Sequence, residues 1–302
     1  MVPIAHSSTG VSVIGALIQA TLAIAYVRAA MRPSPRGNRW PLSRTLCFLG
    51  GLLIFTLAVQ PPLATHDEVR WVHSVQHLVV MMVVPPLLVL GAPLTLLLRS
   101  VSPRARREIV GILHDPAMKK VSGPVAGIGL TLEYHGTMFL VMLTGWYGFT
   151  LAHEWAHVAT HLYLFTCGLL FWMPLIGRDP AGFRPPRWAK VVMVASGLPA
   201  YVLLGLLMSG RDETAAWVLG AGGVVLTLAG LVLLVAQGAG RRAGSREPWS
   251  QRRTLAMKRA MRTQQAMDLN VSAGSKPERL PHDLEHDLVR SPADPAQPDV
   301  AP

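Results

Sequence analysis

Seven long apolar stretches constrain this chain more than any other feature of its sequence. They cover approximately residues 11–30, 45–64, 73–98, 125–148, 155–177, 189–209 and 214–237. A helix needs about 20 residues to cross the hydrocarbon core of a bilayer, and it satisfies its own backbone hydrogen bonds there. The pattern therefore predicts an all-α fold, a polytopic bundle of about seven transmembrane helices in a lipid bilayer.

Basic residues are distributed unevenly between the loops of this predicted bundle. The loops after the first, third, fifth and seventh stretches are rich in Arg and Lys, whereas the intervening loops hold only Arg70 and Arg211. Because basic loops stay in the cytoplasm, this predicts an external N-terminus and a cytoplasmic C-terminus. The net charge of +11 thus reflects topology, and we expect no nucleic-acid partner. No Lys or Arg precedes the first stretch, so we expect it to be a retained helix rather than a signal peptide.

The chain divides into a membrane domain and a tail. We assign residues 1–240 to the seven-helix membrane domain and residues 241–302 to a cytoplasmic tail. Residues 241–268 are basic, which fits either an amphipathic helix on the anionic inner leaflet or a solvated stretch. Residues 270–302 are rich in Pro and Asp with few large apolar residues, and this composition predicts disorder.

Histidines are the unusual polar residues of the membrane domain. Ionisable residues are costly within a membrane helix, so each is a functional hypothesis by default. His73 and His77 begin the third predicted helix at its external end, and their spacing places them on one helix face. His153, His157 and His161 form a similar column at the external end of the fifth helix. These two columns are candidate metal ligands.

Further side chains extend this candidate site towards the centre of the membrane. Met81 continues the face of the third helix one turn deeper, and His135 lies near the middle of the fourth helix. Glu133, beside His135, is expected to be a buried acid. Imidazole binds Zn, Cu, Fe and Ni, and thioether sulfur favours Cu(I). The combination predicts copper bound from the external side, although a packing role for Met81 stays open.

A zinc protease is a competing interpretation. Residues 153–157 read HEWAH and match the HExxH signature, in which the two histidines bind zinc and the glutamate activates water. A protease also needs a third protein ligand. The next acid along the chain, Asp179, is predicted to lie at the opposite membrane face.

A heme site would use the same histidines in a different way. A b-type heme needs axial histidines from facing helices, and His77 with His157 or His161 would supply them in a heme-binding electron-transfer protein. The histidines could also simply order the external surface and dock a partner.

Three sequence blocks resemble those of a known family. Residues 73–78 (HSVQHL), 85–94 (PPLLVLGAPL) and 168–177 (GLLFWMPLIG) resemble the blocks of the CtaG-like assembly factors of caa3-type cytochrome c oxidase. Residues 178–180 (RDP) resemble the actinobacterial branch. The resemblance covers about residues 45–237.

The resemblance implies a non-catalytic chaperone in the bacterial plasma membrane that acts on cytochrome c oxidase subunits, and it leaves open whether the chain forms a homo-oligomer. It implies that copper reaches the oxidase copper centre through four histidines. These are His73, His77, His157 and His161. The chain departs from the family in two places. Residues 134–137 (YHGT) lack the proline of the family's Trp-His-Leu-Pro, and the short loop 209–214 replaces an Asp-Gln-Gln-Gly-Gly segment.

Overall fold

The computed structural model describes residues 9–32, 39–61, 66, 68–113, 124–179, 185–245 and 265. The elements in these ranges are all helical, and no strand occurs among them. In chain order they are α1 (Thr9–Met31), α2 (Leu42–Val59), α3 (Arg70–Leu78), the π-helical turn π1 (Val79–Val83), α4 (Val84–Leu90), α5 (Pro93–Ser100), α6 (Pro103–Leu113), α7 (Pro124–Leu143), α8 (Trp146–Ala152), α9 (Glu154–Ile176), α10 (Arg187–Ala195), α11 (Gly197–Ser209), α12 (Glu213–Trp217), the π-helical turn π2 (Val218–Gly222) and α13 (Gly223–Ser245).

Seven helical runs are long and apolar enough to cross a membrane. Spans 1 to 7 are Ser12–Met31, Leu42–Val59, Arg70–Ser100, Ala126–Leu143, Glu154–Ile176, Arg187–Ser209 and Glu213–Gly238. They confirm the prediction of an all-α bundle of seven spans, and the chain is a multi-pass membrane protein. The second span ends earlier than predicted, at Val59, because Pro61 follows and holds Gln60 in an extended conformation.

By its internal contacts the chain divides into two compact units, residues 1–239 and 240–302. The seven spans lie in the first unit. Only residues 240–245 and 265 of the second unit are described, so the predictions for the tail lie almost wholly outside the described residues. The external location of the N-terminus stays a prediction.

Spans 3 and 5 form the centre of the bundle. In their most apolar segments 67% of the residues of span 3 and 56% of those of span 5 are buried, against 11% to 39% for the other spans. The apolar core between them and their neighbours contains fully buried Tyr134, Phe171, Leu175, Leu204 and Met208. Side chains of spans 3 and 5 therefore face protein, which is the place where polar groups can be held inside a membrane.

Pro85 and Pro86 interrupt span 3, as the sequence predicts. They lie at the start of α4, directly after the wide turn π1. Proline has no backbone N–H, so neither residue can donate to the carbonyl oxygen of Met81. The hydroxyl of Tyr134 donates to that oxygen instead, at 3.4 Å. A side chain of span 4 thus satisfies the freed carbonyl, as a membrane interior requires.

Gly168 brings spans 3 and 5 into close contact. A Cβ atom at this position would lie 2.5 Å from Pro85 Cγ and 2.6 Å from Met81 O. Neither a ring nor a backbone carbonyl can move away easily, so only glycine allows this approach. The contact lies about two helical turns from His161 and therefore sets the separation of the helices that carry the histidines.

Asp179 connects spans 3 and 5 at their other ends, away from the histidines. Its buried carboxylate accepts hydrogen bonds from Leu94 N at 3.2 Å, Thr95 N at 2.7 Å and Thr95 Oγ1 at 2.6 Å. These amides begin α5, where helical N–H groups lack partners within the helix. Ala92, just before α5, has a left-handed φ of 52°. Leu94 of the sequence block 85–94 and Asp179 of the block 178–180 therefore meet in one helix cap.

Candidate metal centre

Four imidazole rings meet between spans 3 and 5. Within each helix the ring centroids are 4.3 Å apart for His73 and His77 and 4.5 Å apart for His157 and His161. Across the interface His73 lies 5.0 Å from His157, and His77 lies 5.0 Å from His161. The rings form a nearly square group, which we call the imidazole cluster. It exists because two i, i+4 pairs on central helices face each other.

The imidazole cluster is largely shielded from its surroundings. His73 and His77 are fully buried, His161 is 7% exposed and His157 is partly buried. Both ring nitrogens of His77 and Nε2 of His161 are buried without a hydrogen-bond partner among the described residues. Burying a polar group without a partner destabilises a fold, and native proteins rarely leave one so. The arrangement therefore leaves nitrogen lone pairs available for a ligand.

The donor atoms are close to the separation that a bound ion requires. Nitrogen atoms of His73, His77 and His161 all lie within 4.8 Å of one another. Three nitrogens that bind one ion at about 2.1 Å in a trigonal plane lie about 3.6 Å apart, so the nitrogens must approach one another by about 1.2 Å at most. No carboxylate belongs to this group within the described part of the chain. An uncharged set of nitrogen donors suits copper or zinc.

Thioether side chains lie in the core beside the imidazole cluster. Met81 is fully buried in π1, one turn beyond His77, and its role as a ligand stays a prediction. Met142 of span 4 is 1% exposed, and its sulfur lies 3.9 Å from the hydroxyl of Ser74, the neighbour of His73.

The structure does not bring His153 and His135 into the imidazole cluster. His153 is exposed, precedes α9 in an extended conformation and stacks on Phe149 at 4.2 Å. His135 is buried in span 4, where its Nε2 lies 3.2 Å from the hydroxyl of Ser196. The six histidines of the predicted set of metal ligands thus divide into four clustered ones and two that lie elsewhere.

The position of His153 also bears on the interpretation as a zinc protease. In HExxH enzymes both histidines lie on one face of a helix. Here α9 begins at Glu154, so His153 and His157 do not share a helical face. A heme site requires a porphyrin between two axial rings, whereas the rings of His77 and His161 contact each other directly. The protease signature therefore lacks the shared helical face, and the heme alternative, which also allowed His77 with His157, stays a prediction.

Glu133 is not the buried acid that its place in the sequence suggests. Its side chain is exposed on the surface of span 4, whereas His135 is 9% exposed and faces the core. Two residues along a helix correspond to a rotation of about 200°, so the two side chains point in nearly opposite directions. The expectation of a buried Glu133 is therefore wrong.

Sequence reasoning missed the residues that cover the imidazole cluster. The ring of Tyr147 lies 5.1 Å from His73, edge to face, and the guanidinium of Arg70 lies 4.4 Å from the centre of the Tyr147 ring. Arg70 Nε also lies 3.8 Å from Asp212 Oδ2. One signal was available, because Arg70 is one of only two basic residues in the loops predicted to be external and precedes His73 by three positions.

Seven spans with an imidazole cluster between the two central ones define a multi-pass helical membrane protein with a candidate metal centre. Residues 24–237 match the profile of the cytochrome c oxidase caa3 assembly factor (Caa3_CtaG) family. Since the match covers more than half of the chain, the chain belongs to this family, and the resemblance inferred from the sequence blocks is confirmed. The description of the family is that of an assembly factor for caa3-type cytochrome c oxidase.

Curated relatives come from mycobacteria. The chain is 27% identical over 195 residues to an uncharacterized protein of Mycobacterium leprae, covering 62% of this chain and 29% of the relative. It is 26% identical over 201 residues to uncharacterized proteins of Mycobacterium bovis and Mycobacterium tuberculosis, covering 64% of this chain and 30% of each relative. The chain thus spans under a third of the length of these relatives. No solved structure shows significant similarity to it.

Proposed function

We propose that this protein captures copper at the external face of the bacterial plasma membrane and helps to deliver it to the copper centre of cytochrome c oxidase. The imidazole cluster is the observation that carries the proposal. Copper is here the cargo of the protein rather than a resident cofactor.

The chemistry of the imidazole cluster favours a ligand over a purely structural role. A structural histidine inside a membrane is expected to hydrogen-bond to neighbouring helices, as His135 does with Ser196. His77 instead has two buried nitrogens without such a partner among the described residues. A metal ion would satisfy these lone pairs, because neutral imidazole is a common metal ligand.

The surroundings of the imidazole cluster favour copper among the metals that imidazole binds. Buried thioether groups of Met81 and Met142 lie in the adjoining core, and thioether sulfur favours Cu(I). The family acts in the assembly of cytochrome c oxidase. A set of neutral donors without carboxylates also suits transfer, since ligands can be exchanged one at a time and the ion is not trapped.

The cluster lies where an external ion would enter. It occupies the ends of spans 3 and 5 that the distribution of basic loops predicts to be external. Tyr147 and Arg70 cover His73 at this end. An ion would enter past this cover, bind to the cluster and leave to an oxidase subunit in the same membrane.

Copper content per chain tests the proposal. The protein is purified in mild detergent, loaded with Cu(I) and analysed for elemental copper beside a His77→Ala/His161→Ala variant. We expect copper bound to the wild type and background levels in the double variant. His153→Ala and His135→Ala are matched controls that should keep their copper. Equal copper in the wild type and the double variant, or none in either, would contradict the proposal.

Delivery is tested separately in cells. A strain that produces the double variant should contain oxidase with less copper than a strain that produces the wild type, and added copper should restore part of it. A normal copper content in that oxidase would contradict delivery even if the purified protein binds copper.

A further inference from the structure

A groove runs along the surface of the bundle between spans 4 and 5. Its volume is about 680 Å³, and Gly129, Gly136, Trp155 and Tyr163 are among its lining residues. The groove opens to the outside of the bundle, so in a membrane it faces hydrocarbon rather than water. It lies apart from the imidazole cluster, whose histidines do not line it.

Glu133 lies in this groove near the middle of the membrane. It is ten residues from Leu143, which is about 15 Å along a helix and half of the hydrocarbon thickness. Ionisable residues within membrane spans almost always face the protein interior or a water-filled cavity. Glu133 is exposed instead, and a carboxyl group that faces lipid is costly unless something covers it.

The neighbouring polar groups do not provide that cover. Thr137 donates its hydroxyl to the backbone oxygen of Glu133 in its own helix, and Thr160 accepts a hydrogen bond from Trp146. The carboxyl group of Glu133 has one hydrogen-bond contact among the described residues, the thiol of Cys167 at 4.0 Å. No described basic side chain lies within ion-pair distance of it.

The wall of the groove that span 4 forms leaves space in which another helix can approach. Gly129 and Gly136 leave the stripe that carries Glu133 without a side chain on either side of it. A Cβ at Gly129 or Gly136 would meet no atom within 4 Å, so packing inside the bundle does not require glycine there. Small residues on a membrane helix allow a second backbone to approach closely.

We propose that this groove binds a transmembrane helix of another protein that presents a lysine or arginine side chain to Glu133 near the bilayer centre. Charge complementarity selects this occupant. A lipid acyl chain has no group that bonds a carboxylate.

A second copy of this chain lacks the complementary charge. Every Lys and Arg inside the seven spans lies within three residues of an end of its span. A copy packed through its own spans would therefore offer no cation at the depth of Glu133. The proposal does not depend on copper binding and would survive its failure.

Model peptides in vesicles test the proposal on the full chain. The protein, labelled with a fluorescent donor at its C-terminus, is reconstituted into phosphatidylcholine vesicles with an acceptor-labelled polyleucine transmembrane peptide that has one central lysine. A second peptide has leucine at that position. Energy transfer measures association with the wild type, Glu133→Gln, Gly136→Leu and the control Gly50→Leu, whose glycine also has open space around it. Circular dichroism checks that each variant is folded.

We expect the lysine peptide to associate with the wild type at least about threefold more tightly than the leucine peptide. Glu133→Gln should remove this preference, Gly136→Leu should weaken association of the lysine peptide, and Gly50→Leu should change neither. Equal association of both peptides would overturn the proposal. Self-association of the protein that excludes the peptide and is lost in Gly136→Leu would identify a second copy as the occupant and would also overturn it.

Discussion

Spans 3 and 5 contact each other at both of their ends, and the polar groups at the two ends are treated in opposite ways. At the end with Asp179, the carboxylate caps α5, Arg178 donates to the carbonyl oxygen of Leu90 at 3.0 Å, and Tyr26 donates to that of Gly91 at 2.7 Å. Each of these polar groups has a partner within the protein.

At the other end four imidazoles share one small volume, and several of their nitrogens have no such partner among the described residues. This contrast indicates that the end with Asp179 serves the fold and that the end with the imidazole cluster serves a ligand. Hydrogen bonds that are complete within the protein stabilise the folded state. Buried nitrogens without a hydrogen-bond partner destabilise the folded state, and binding of an ion would remove this cost. Removing groups at the two ends should therefore have opposite consequences for stability and for copper binding.

The largest expected effect is on copper at the imidazole cluster. His77→Leu should lower bound copper to background, because it removes a central donor, while thermal unfolding of the metal-free protein should occur at an unchanged or higher temperature. Replacing a buried polar group that lacks a partner by an apolar one is neutral or stabilising. Elemental analysis and thermal unfolding in detergent measure both quantities. A strongly destabilised metal-free variant would instead indicate a structural role for His77.

The next effect concerns the close contact of spans 3 and 5 at Gly168, which lies between the two ends. Gly168→Val should lower the free energy of unfolding by about 3 kcal/mol or more, because even its Cβ would meet Pro85 and the carbonyl oxygen of Met81. Gly136→Val is the matched control, since open space surrounds that position. Denaturant titration in detergent measures the two variants. Similar stability of both would show that spans 3 and 5 can separate without cost.

A smaller effect is expected at the end with Asp179. Asp179→Asn should lower the free energy of unfolding by about 1–2 kcal/mol, because three hydrogen bonds lose a charged acceptor. Bound copper per chain should stay at the wild-type level, since the imidazole cluster lies at the other end of the spans. Loss of copper together with normal stability would break the division between the two ends.

The smallest effect on stability is expected at the cover of the imidazole cluster. Arg70→Gln should change the free energy of unfolding by less than about 1 kcal/mol, because the ion pair with Asp212 is partly exposed. Copper should bind faster at low ionic strength, since a positive charge no longer repels the incoming cation. Stopped-flow mixing with Cu(I) measures the rate. An unchanged rate would exclude Arg70 from the path of entry.

The histidine patterns show how far sequence reasoning reached. The pairs His73/His77 and His157/His161 were placed correctly on helix faces, since helical periodicity is a local property. His153 has the same spacing from His157, but α9 begins one residue after it. The exact residue at which a helix begins depends on packing. The spacing alone therefore predicted, wrongly, that His153 lies on the same helix face as His157.

Glu133 and His135 show a second limit of prediction from the sequence. Both lie in one apolar span, and hydropathy indicates that they are in the membrane without indicating which faces protein and which faces lipid. Tyr147, Arg70 and Asp212 come from three separate parts of the chain and meet only in the folded bundle. No pattern within any one of these segments predicts that contact.

The seven spans could be predicted from the sequence, because a membrane imposes length and hydropathy on each helix separately. The two histidine pairs and the family could also be predicted, because both rest on local spacing and sequence blocks. Three features follow only from the packing of the folded bundle: the two pairs face each other, Asp179 caps α5, and Glu133 faces outwards from the bundle. These outcomes depend on how helices distant in sequence pack, and Gly168 and the proline turn of span 3 set that packing through contacts between spans.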